Sequence, residues 1–286
     1  MLKTVWLTDN KKTNGIAMLL GGFDGLHIGH RRLLSRAKES GLSVGLMTIV
    51  GGKEDALFTF EEREEIFKAA GVDFVFELSF AEIKDLTPAE FLELLQKEFL
   101  PSLYICGEDF RFGAKAAGTP KMIEELTHVR GEVLPLVEYA GQKISSTTVK
   151  KLLTNGNVED AALLLGEEFF VIGTVVKDRQ VGRTLGFPTA NIVYPMGKYP
   201  LKIGVYETQV EVGGRTYKGI TNYGARPTFD NDRVITETYL NGFSGDLYGR
   251  RLKVKFIRFL REVQRFDSVE QLKEQLTKDI RQVRDE

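Results

Sequence analysis

The chain has 286 residues, and its 39 Lys and Arg nearly balance its 40 Asp and Glu, which leaves a formal net charge of -1. A chain of this length is expected to form two domains of roughly 100 to 200 residues each. With 42% hydrophobic and 28% charged residues, the composition is typical of a folded soluble protein and argues against disorder. The near-zero charge provides no overall field for nucleic acid or an anionic membrane, so an anionic ligand must be bound locally.

The cysteine content and the apolar segments indicate the compartment. Cys106 is the single cysteine, which excludes an intramolecular disulfide and disfavours a zinc site built on several thiolates. The first twelve residues are polar, and no apolar stretch approaches the roughly 20 residues needed to cross a bilayer. We therefore expect a cytoplasmic protein that is neither exported nor inserted in a membrane.

The first half of the chain alternates predicted strands and helices. Four apolar segments have the length of buried strands: 16–20, 42–50, 74–78 and 103–106. Apolar residues at helical spacing predict helices over 28–38 and 61–70. Thr87 and Pro88 begin a further helix, as N-cap and first helical residue. This alternation predicts a parallel sheet with helices on both faces.

From about residue 166 the pattern changes to extended segments rich in β-branched and aromatic residues. Five of these segments are predicted strands: 169–176, 204–212, 215–221, 234–240 and 252–259. Gly213 and Gly214 lie between two of them and indicate a two-residue hairpin turn. The spacing predicts a small antiparallel barrel followed by an amphipathic helix over 269–283. We place the domains at 1–165 and 166–286.

A glycine-rich segment, residues 21–30 with the sequence Gly-Gly-Phe-Asp-Gly-Leu-His-Ile-Gly-His, joins the strand predicted at 16–20 to the following helix. Open parallel sheets bind ligands at such a position, and the amides and dipole of a helix start favour phosphate. His27 and His30 are expected to project to the same side, where they can stabilise charge on a transferred phosphate. A lone histidine would more often cap or pack, but two of the chain's three lie here. We expect the third, His128, to be solvated.

Two later segments are candidates for the same site. They are residues 107–113, Gly-Glu-Asp-Phe-Arg-Phe-Gly, and residues 144–147, Ile-Ser-Ser-Thr. Taken alone, the phenylalanines of the first are equally consistent with core residues, and the hydroxyls of the second with an N-cap. In this order, however, the three segments resemble the adenylyltransferase half of bacterial FAD synthetases, which implies a Rossmann-like α/β nucleotidyltransferase domain.

The resemblance implies that His27 and His30 are catalytic and that other motif residues bind ATP or the flavin. These binding residues are Gly22, Phe23, Asp24, Gly29, Gly107, Asp109, Phe110, Phe112, Ser145, Ser146, Thr147 and Lys150. The sequence departs from the family at Thr148 and Lys150, two positions where the family commonly has arginine. Lysine does not reproduce the two-pronged contact that the arginine guanidinium makes with a phosphate. It also lacks the His-Pro pair that often follows the second strand, and has Val-Gly-Gly-Lys at 50–53.

The second half contains a polar segment, residues 182–191, with the sequence Gly-Arg-Thr-Leu-Gly-Phe-Pro-Thr-Ala-Asn. We predict a loop that is too polar and broken to be core and that lies against phosphates. The Thr189 hydroxyl and the Asn191 carbonyl are hard oxygen ligands suited to Mg²⁺. An ordinary turn with a cap is the alternative that the stretch alone leaves open.

Three later features follow this segment in chain order: residues 222–229, Asn-Tyr-Gly-Ala-Arg-Pro-Thr-Phe; Glu237; and residues 246–249, Asp-Leu-Tyr-Gly. Together they resemble the riboflavin kinase family, which implies a small antiparallel β-barrel with Glu237 as the general base. By itself, a glutamate in an alternating strand is more often solvated. The family usually has histidine where this chain has Tyr239.

The resemblance to riboflavin kinases also implies a set of ligands. Thr189 and Asn191 would hold Mg²⁺. The residues implied to bind ATP or the flavin are Gly182, Gly186, Pro188, Asn222, Thr228, Tyr248 and Arg261. For Arg261, a surface salt bridge is an equal interpretation.

The two resemblances cover nearly the whole chain and predict a bifunctional enzyme with small-molecule substrates. One reaction converts riboflavin and ATP to FMN and ADP, and the other converts FMN and ATP to FAD and pyrophosphate. One alternative is a monofunctional member; the departures at Thr148, Lys150 and 50–53 favour the kinase as the activity retained. Another is a non-catalytic flavin-sensing or RNA-binding regulator, although the chain has no basic stripe for nucleic acid. The oligomeric state is left open.

Overall fold

The computed structural model describes residues 3–8, 14–51, 55–139, 141–177, 187–225 and 234–284. The chain forms two compact units, Met1–Thr148 and Val149–Glu286. No helix in the described ranges is both long and apolar enough to cross a membrane.

The first unit is an α/β layer structure, as predicted. Its strands are β1 Lys3–Trp6, β2 Ile16–Leu19, β3 Ser43–Val50, β4 Phe74–Ser79, β5 Leu103–Gly107, β6 Gly131–Leu134, β7 Glu138–Tyr139 and β8 Gln142–Lys143. Its helices are α1 Ile28–Glu39, α2 Phe60–Ala69, α3 Phe80–Ile83, α4 Pro88–Phe99, α5 Lys121–Thr127 and the start of α6 Ser146–Asn155. The predicted strands and helices of this half are confirmed within one or two residues.

The main sheet has the strand order β1-β4-β3-β2-β5-β6, in which every neighbouring pair except β1 with β4 is parallel. The antiparallel edge strand β1 was not predicted, because the polar amino terminus gives little strand signal; Trp6 anchors it by packing on Phe74 with ring centroids 5.0 Å apart. The strands that follow β2 in sequence, β3 and β4, lie on one side of it in the sheet, and β5 lies on its other side. The carboxyl ends of β2 and β5 therefore form the crevice in which such sheets bind ligands.

The helix starts follow the local sequence. Thr87 is the N-cap of α4, and its side chain and that of Glu90 form a reciprocal capping box, with Pro88 as the first helical residue. Thr59 and Glu62 form the same motif at α2. The predicted cap at Thr87 is thus confirmed, and both helices begin at a capped residue.

Tyr104 on β5 provides a stability prediction. Its side chain is fully buried, and its hydroxyl has no hydrogen-bond partner among the described residues. Burial also raises the pKa of this hydroxyl, so it stays protonated. We expect Tyr104→Phe to raise the free energy of unfolding of the first unit by about 1 kcal/mol, since a buried unpaired hydroxyl loses its water hydrogen bonds on folding.

Urea unfolding followed by fluorescence would measure this change. Tyr139→Phe is the matched control, because Tyr139 is exposed and its substitution should leave the midpoint unchanged. A lower stability for Tyr104→Phe would show that the hydroxyl has a partner and would contradict the prediction.

The second unit is a closed antiparallel barrel with the strand order β10-β13-β12-β11-β14-β9. Its elements are the remainder of α6, α7 Val158–Leu165, β9 Phe170–Val176, β10 Thr189–Val193, β11 Gly204–Val212, β12 Arg215–Ala225, β13 Val234–Leu240, β14 Arg251–Arg261 and α8 Val269–Arg284. The predicted barrel and carboxy-terminal helix are confirmed. Gly213 and Gly214, with φ of 61° and 77°, have the backbone of the predicted hairpin turn.

The segment 182–191 was predicted as a loop outside the core, and this is wrong for its last three residues. Residues 189–191 begin β10, with Ala190 and Asn191 buried. The sequence pattern was misleading because Asn191 is a polar residue at a buried strand position. Gly182 and Gly186 lie outside the described residues.

Side chains alternate between the two faces of the barrel wall. The hydroxyls of Thr208, Thr221 and Thr238 form a chain of 2.8 Å hydrogen bonds between buried side chains. On the opposite face, Val205 and Ile220 pack against Ile280 and Val283 of α8. Because neighbours in a strand point to opposite faces, Glu237, next to Thr238, lies on the face that carries α8.

Candidate active sites

A cavity of about 290 Å³ lies at the carboxyl ends of β2 and β5 and is lined by all three segments identified in the first half of the sequence. The predicted site residues that line it are Gly22, His27, Gly29, His30, Gly107, Asp109, Phe110 and Ser145. Residues as far apart in sequence as Gly22 and Ser145 thus meet in one crevice, as expected at the point where the strand order reverses.

The two histidines of the cavity form a stacked pair, with ring centroids 3.6 Å apart. His27 is the N-cap of α1, and its Nδ1 accepts a hydrogen bond from the backbone N–H of His30 at 3.2 Å. The Nδ1–H of His30 donates to the carbonyl of Gly25 at 2.9 Å. Burial, the largest effect, lowers the pKa of His27 to about 4. His27 is therefore neutral at pH 7, with its proton on Nε2, and can donate it to a phosphate oxygen.

Of the predicted ligand-binding residues that do not line this cavity, Phe23, Asp24 and Phe112 are buried. The ring of Phe23 is fully buried and packs on His30 with centroids 4.4 Å apart. The Asp24 carboxylate accepts a hydrogen bond from the backbone N–H of Leu57 at 2.9 Å. Phe112 belongs to the core of the sheet domain, whereas Phe110 is partly buried, packs against that core and also lines the cavity. We interpret all three as supports of the cavity wall.

The start of α6 combines the two interpretations of the Ile-Ser-Ser-Thr segment. The Ser145 hydroxyl accepts from the N–H of Thr148 at 3.2 Å, as an N-cap does, and Ser145 also lines the cavity. Ser146 and Thr147 occupy the first turn without lining it. The Lys150 ammonium lies 5.0 Å from the ring centroid of Tyr199, in the second unit.

Two cations of the cavity were not identified in the sequence. Lys143 forms an ion pair with Asp109, and the Arg111 guanidinium donates to the carbonyl of Phe110 at 2.7 Å. Arg111 lies within the segment 107–113, and Lys143 only two residues before Ser145. Both residues are therefore close to the motifs in sequence. A lysine or arginine near a motif is too common, however, to identify a site residue from the sequence alone.

A second cavity, of about 550 Å³, lies in the barrel unit. Pro188, Thr189 and Asn191 line it from the chain entering β10, and Asp246 and Tyr248 line it from the connection between β13 and β14. The backbone N–H of Tyr248 donates to the Asp246 carboxylate at 2.9 Å, which fixes that connection as a tight turn.

Glu237 lies beside this cavity in a row of polar residues that crosses three strands. Asn191, Glu237 and Asn222 are direct register partners on β10, β13 and β12, so their side chains share one face. The Thr189 hydroxyl donates to Oε1 of Glu237 at 3.0 Å. The structure thus brings Thr189, Asn191, Glu237 and Asn222 together, whereas Thr228 lies outside the described residues.

Asn191 has the environment of a ligand to a cation. Its side chain is 5% exposed, and its Oδ1 has no hydrogen-bond partner within the described part of the chain. A buried carbonyl oxygen without a partner requires an explanation, and an ion or water supplies one. With the hydroxyl of Thr189 on the same face, the donor set is two hard oxygens, which fits Mg²⁺.

Arg261 forms the salt bridge that the sequence left open as an alternative. Its Nη2 donates to Asp279 of α8 at 2.7 Å and its Nε at 3.1 Å, and Asp279 is 2% exposed. Gln275 also donates to this carboxylate at 2.8 Å. The pair attaches α8 to β14, and a contact between Arg261 and a flavin stays a prediction.

Comparisons with known proteins match each unit to a family. The family model described as FAD synthetase matches residues 9–148, and the model described as riboflavin kinase matches residues 165–286. A solved structure described as a macrolide-efflux protein from Streptococcus pneumoniae is 30% identical, with a TM-score of 0.87, over 98% of this chain and 97% of its own.

Two curated relatives carry the same paired description. The bifunctional riboflavin kinase/FMN adenylyltransferase of Pseudomonas fluorescens is 34% identical over 93% of this chain and 91% of its own length. The protein of that description from Bacillus subtilis is 31% identical over 92% of this chain and 89% of its own length. The chain therefore belongs to the bifunctional riboflavin kinase/FMN adenylyltransferase family.

Proposed function

We propose that the chain catalyses both reactions of its family, one in each cavity. In the barrel unit riboflavin and ATP give FMN and ADP; in the α/β unit FMN and ATP give FAD and pyrophosphate. The observation that carries the proposal is the convergence of the sequence motifs. Three segments meet in one cavity, and Thr189 and Asn191 line the other, with Glu237 hydrogen-bonded to Thr189. This argues against a chain that kept only the folds.

In the kinase reaction the terminal ribityl hydroxyl attacks the γ-phosphorus of ATP and must lose its proton. The Glu237 carboxylate is the base in this proposal, and the hydrogen bond from Thr189 holds one of its oxygens, so that the other can face the substrate. Thr189 and Asn191 are the residues that would hold Mg²⁺. When bound, the cation neutralises charge on the phosphate oxygens. Asn222 extends the polar row on the same face and is placed to orient the substrate.

In the adenylylation reaction a phosphate oxygen of FMN attacks the α-phosphorus of ATP, and pyrophosphate leaves. The attacking phosphate is already ionised, so the site needs donors for the developing charge more than it needs a base. His27 supplies an Nε2–H, and His30 lies 3.6 Å away in the stacked pair. The amides at the start of α1 and Gly22 and Gly29 complete a surface suited to phosphate.

Two of the departures from the family, Thr148 and Lys150, lie on α6 and do not line this cavity. Thr148 donates its hydroxyl to the carbonyl of Lys143 at 3.1 Å and so takes part in the capping of α6. Lys150 contacts Tyr199. Gly52 and Lys53 lie outside the described residues. The histidine pair does not depend on these positions, which favours retention of adenylylation. We propose the cytoplasm, where ATP and flavins are available, as the compartment.

A product assay tests the proposal. The purified chain is incubated with riboflavin, ATP and Mg²⁺, and the flavins are separated by chromatography. We expect FMN to appear first and FAD to follow, with neither formed when EDTA replaces Mg²⁺. FMN without FAD would support a monofunctional kinase instead, and flavin binding without any product would support a sensor.

A further inference from the structure

A buried charged pair lies behind the loop that carries the two histidines. Asp24, in that loop, is 6% exposed, and Arg63, on α2, is 7% exposed. Neither residue lines the cavity. Burying two charges costs desolvation energy, and apolar side chains in the same positions would avoid that cost. Stability alone therefore does not account for the pair.

Asp24 connects the histidine loop to the segment before α2. Its Oδ1 accepts the backbone N–H of Leu57 at 2.9 Å, and Leu57 and Phe58 are themselves fully buried. The loop is thereby attached to a packed part of the domain, at a position three residues before His27.

Arg63 connects α2 to the carboxyl end of β3. Its Nη1 donates to the hydroxyl of Thr48 at 2.8 Å, and Thr48 is completely buried. Burial lowers the pKa of Arg63, and the carboxylates of Asp24 and Glu77 act in the opposite direction. Asp24 is bonded to Leu57, which lies just before α2, and Arg63 lies in the first turns of α2, so the two buried charges belong to the same packed region.

Phe23, the loop residue next to Asp24, links the attached part of the loop to the histidines. Phe23 has a φ of 33°, a left-handed conformation that a non-glycine residue adopts at an energetic cost. This conformation turns the Phe23 ring under His30, while the carbonyl of Gly25 accepts from the His30 ring. A strained backbone conformation persists only when its surroundings hold it. For Phe23, the neighbouring restraint is the hydrogen bond between Asp24 and the backbone N–H of Leu57.

We propose that Asp24 and Arg63 act as one unit of positioning residues for adenylyl transfer, holding the loop so that His27 and His30 point into the cavity. The inference rests on the proposed function and assigns Asp24 a role different from the ligand contact expected from the sequence. Catalysis by fixed donors is sensitive to small displacements, so loss of the pair should lower the turnover number rather than ATP binding.

The test uses Asp24→Asn, Arg63→Met and the double variant in the full-length chain. Asn at position 24 still accepts from Leu57 but carries no charge. We expect each variant to lower kcat for FAD formation by about 10- to 100-fold, with KM for ATP within about threefold of the starting value. The double variant should lose no more than either single variant, because residues that act as a unit are not additive.

Two controls separate positioning from general destabilisation. FMN formation by the barrel unit of the same molecules should be unchanged. Glu132→Gln removes a different ion pair of the α/β unit, in which Arg36 Nε lies 2.6 Å from Glu132, and should leave kcat for FAD formation unchanged. If a single variant does not fold, the double variant, which removes both charges together, decides the question.

A readout independent of turnover comes from nuclear magnetic resonance of the three histidines. His27 should titrate near pH 4 in the parent chain, and near its ordinary pKa in the double variant, because the loosened loop lets water reach the ring. A folded double variant with the parent kcat and the parent His27 titration would overturn the inference. A parent chain that forms no FAD would instead refute the proposed function, and the titration would still test the positioning.

Discussion

Replacing Glu237 by Gln is expected to lower the rate of FMN formation by about 10²- to 10⁴-fold, the range that a positioned general base contributes. The amide oxygen of Gln can still accept the hydrogen bond that Thr189 donates to Glu237, so the barrel wall should keep its geometry. What the variant loses is the capacity to take the proton of the ribityl hydroxyl. FAD formation from supplied FMN should be unaffected, since the histidine cavity lies within the other unit.

Initial rates of each reaction, measured separately by chromatography, would check this result. Glu211→Gln is a matched control, because Glu211 is an exposed glutamate on β11 and its substitution should leave both rates unchanged. A Glu237→Gln enzyme that forms FMN within a factor of about three of the parent rate would show that the carboxylate is not the base, since a base contributes far more.

Most of the fold was predictable because local signals and packing agree. In the first half, apolar strands alternate with capped amphipathic helices, and the capping box at Thr87 and Glu90 fixes a helix start that sequence rules identify. In the second half, the turn at Gly213 and Gly214 marks a hairpin. The exceptions include the short edge strands β1 and β6, which carry weak local signals, and β10, where Asn191 occupies a buried position.

The composition of the sites was less predictable than their place in the fold. The motifs identified the segments, but a motif does not say which of its side chains face the ligand. Phe110 lines the cavity and Phe112 lies in the core, although both belong to one short segment. Spatial pairs across long sequence separations, such as Arg261 with Asp279 and Lys143 with Asp109, carry no sequence signal at all. His128, expected to be solvated, is indeed exposed.

Replacing His30 by Ala is expected to lower the rate of FAD formation by about 10²- to 10³-fold, the effect of removing one donor from a developing charge. The loss should lie at the upper end of that range, because the His30 ring donates to the carbonyl of Gly25 and stacks on His27, so the substitution also frees the neighbouring donor to rotate. FMN formation should stay at the parent rate. Steady-state rates for both reactions provide the measurement, and His128→Ala, on the exposed end of α5, is the control.

The pH dependence separates the role of His27 from that of a titrating base. Burial lowers the pKa of His27 to about 4, so its neutral form, with Nδ1 accepting from the His30 N–H, persists throughout the range above pH 5. If His27 is a fixed donor, its titration should cause no loss of FAD formation between pH 5 and pH 8. Because the unfolded chain protonates this histidine near pH 6.5 and the folded chain near pH 4, the stability should decrease as the pH falls from about 6.5 to about 4. Activity should decline only near pH 4, where protonation of Nδ1 removes the N-cap acceptor of α1. A decline in the rate of FAD formation near the ordinary histidine pKa would contradict this interpretation if the NMR resonance of His27 titrated at the same pH. Such a titration would show that the His27 ring is hydrated and does not stay neutral as the pH falls.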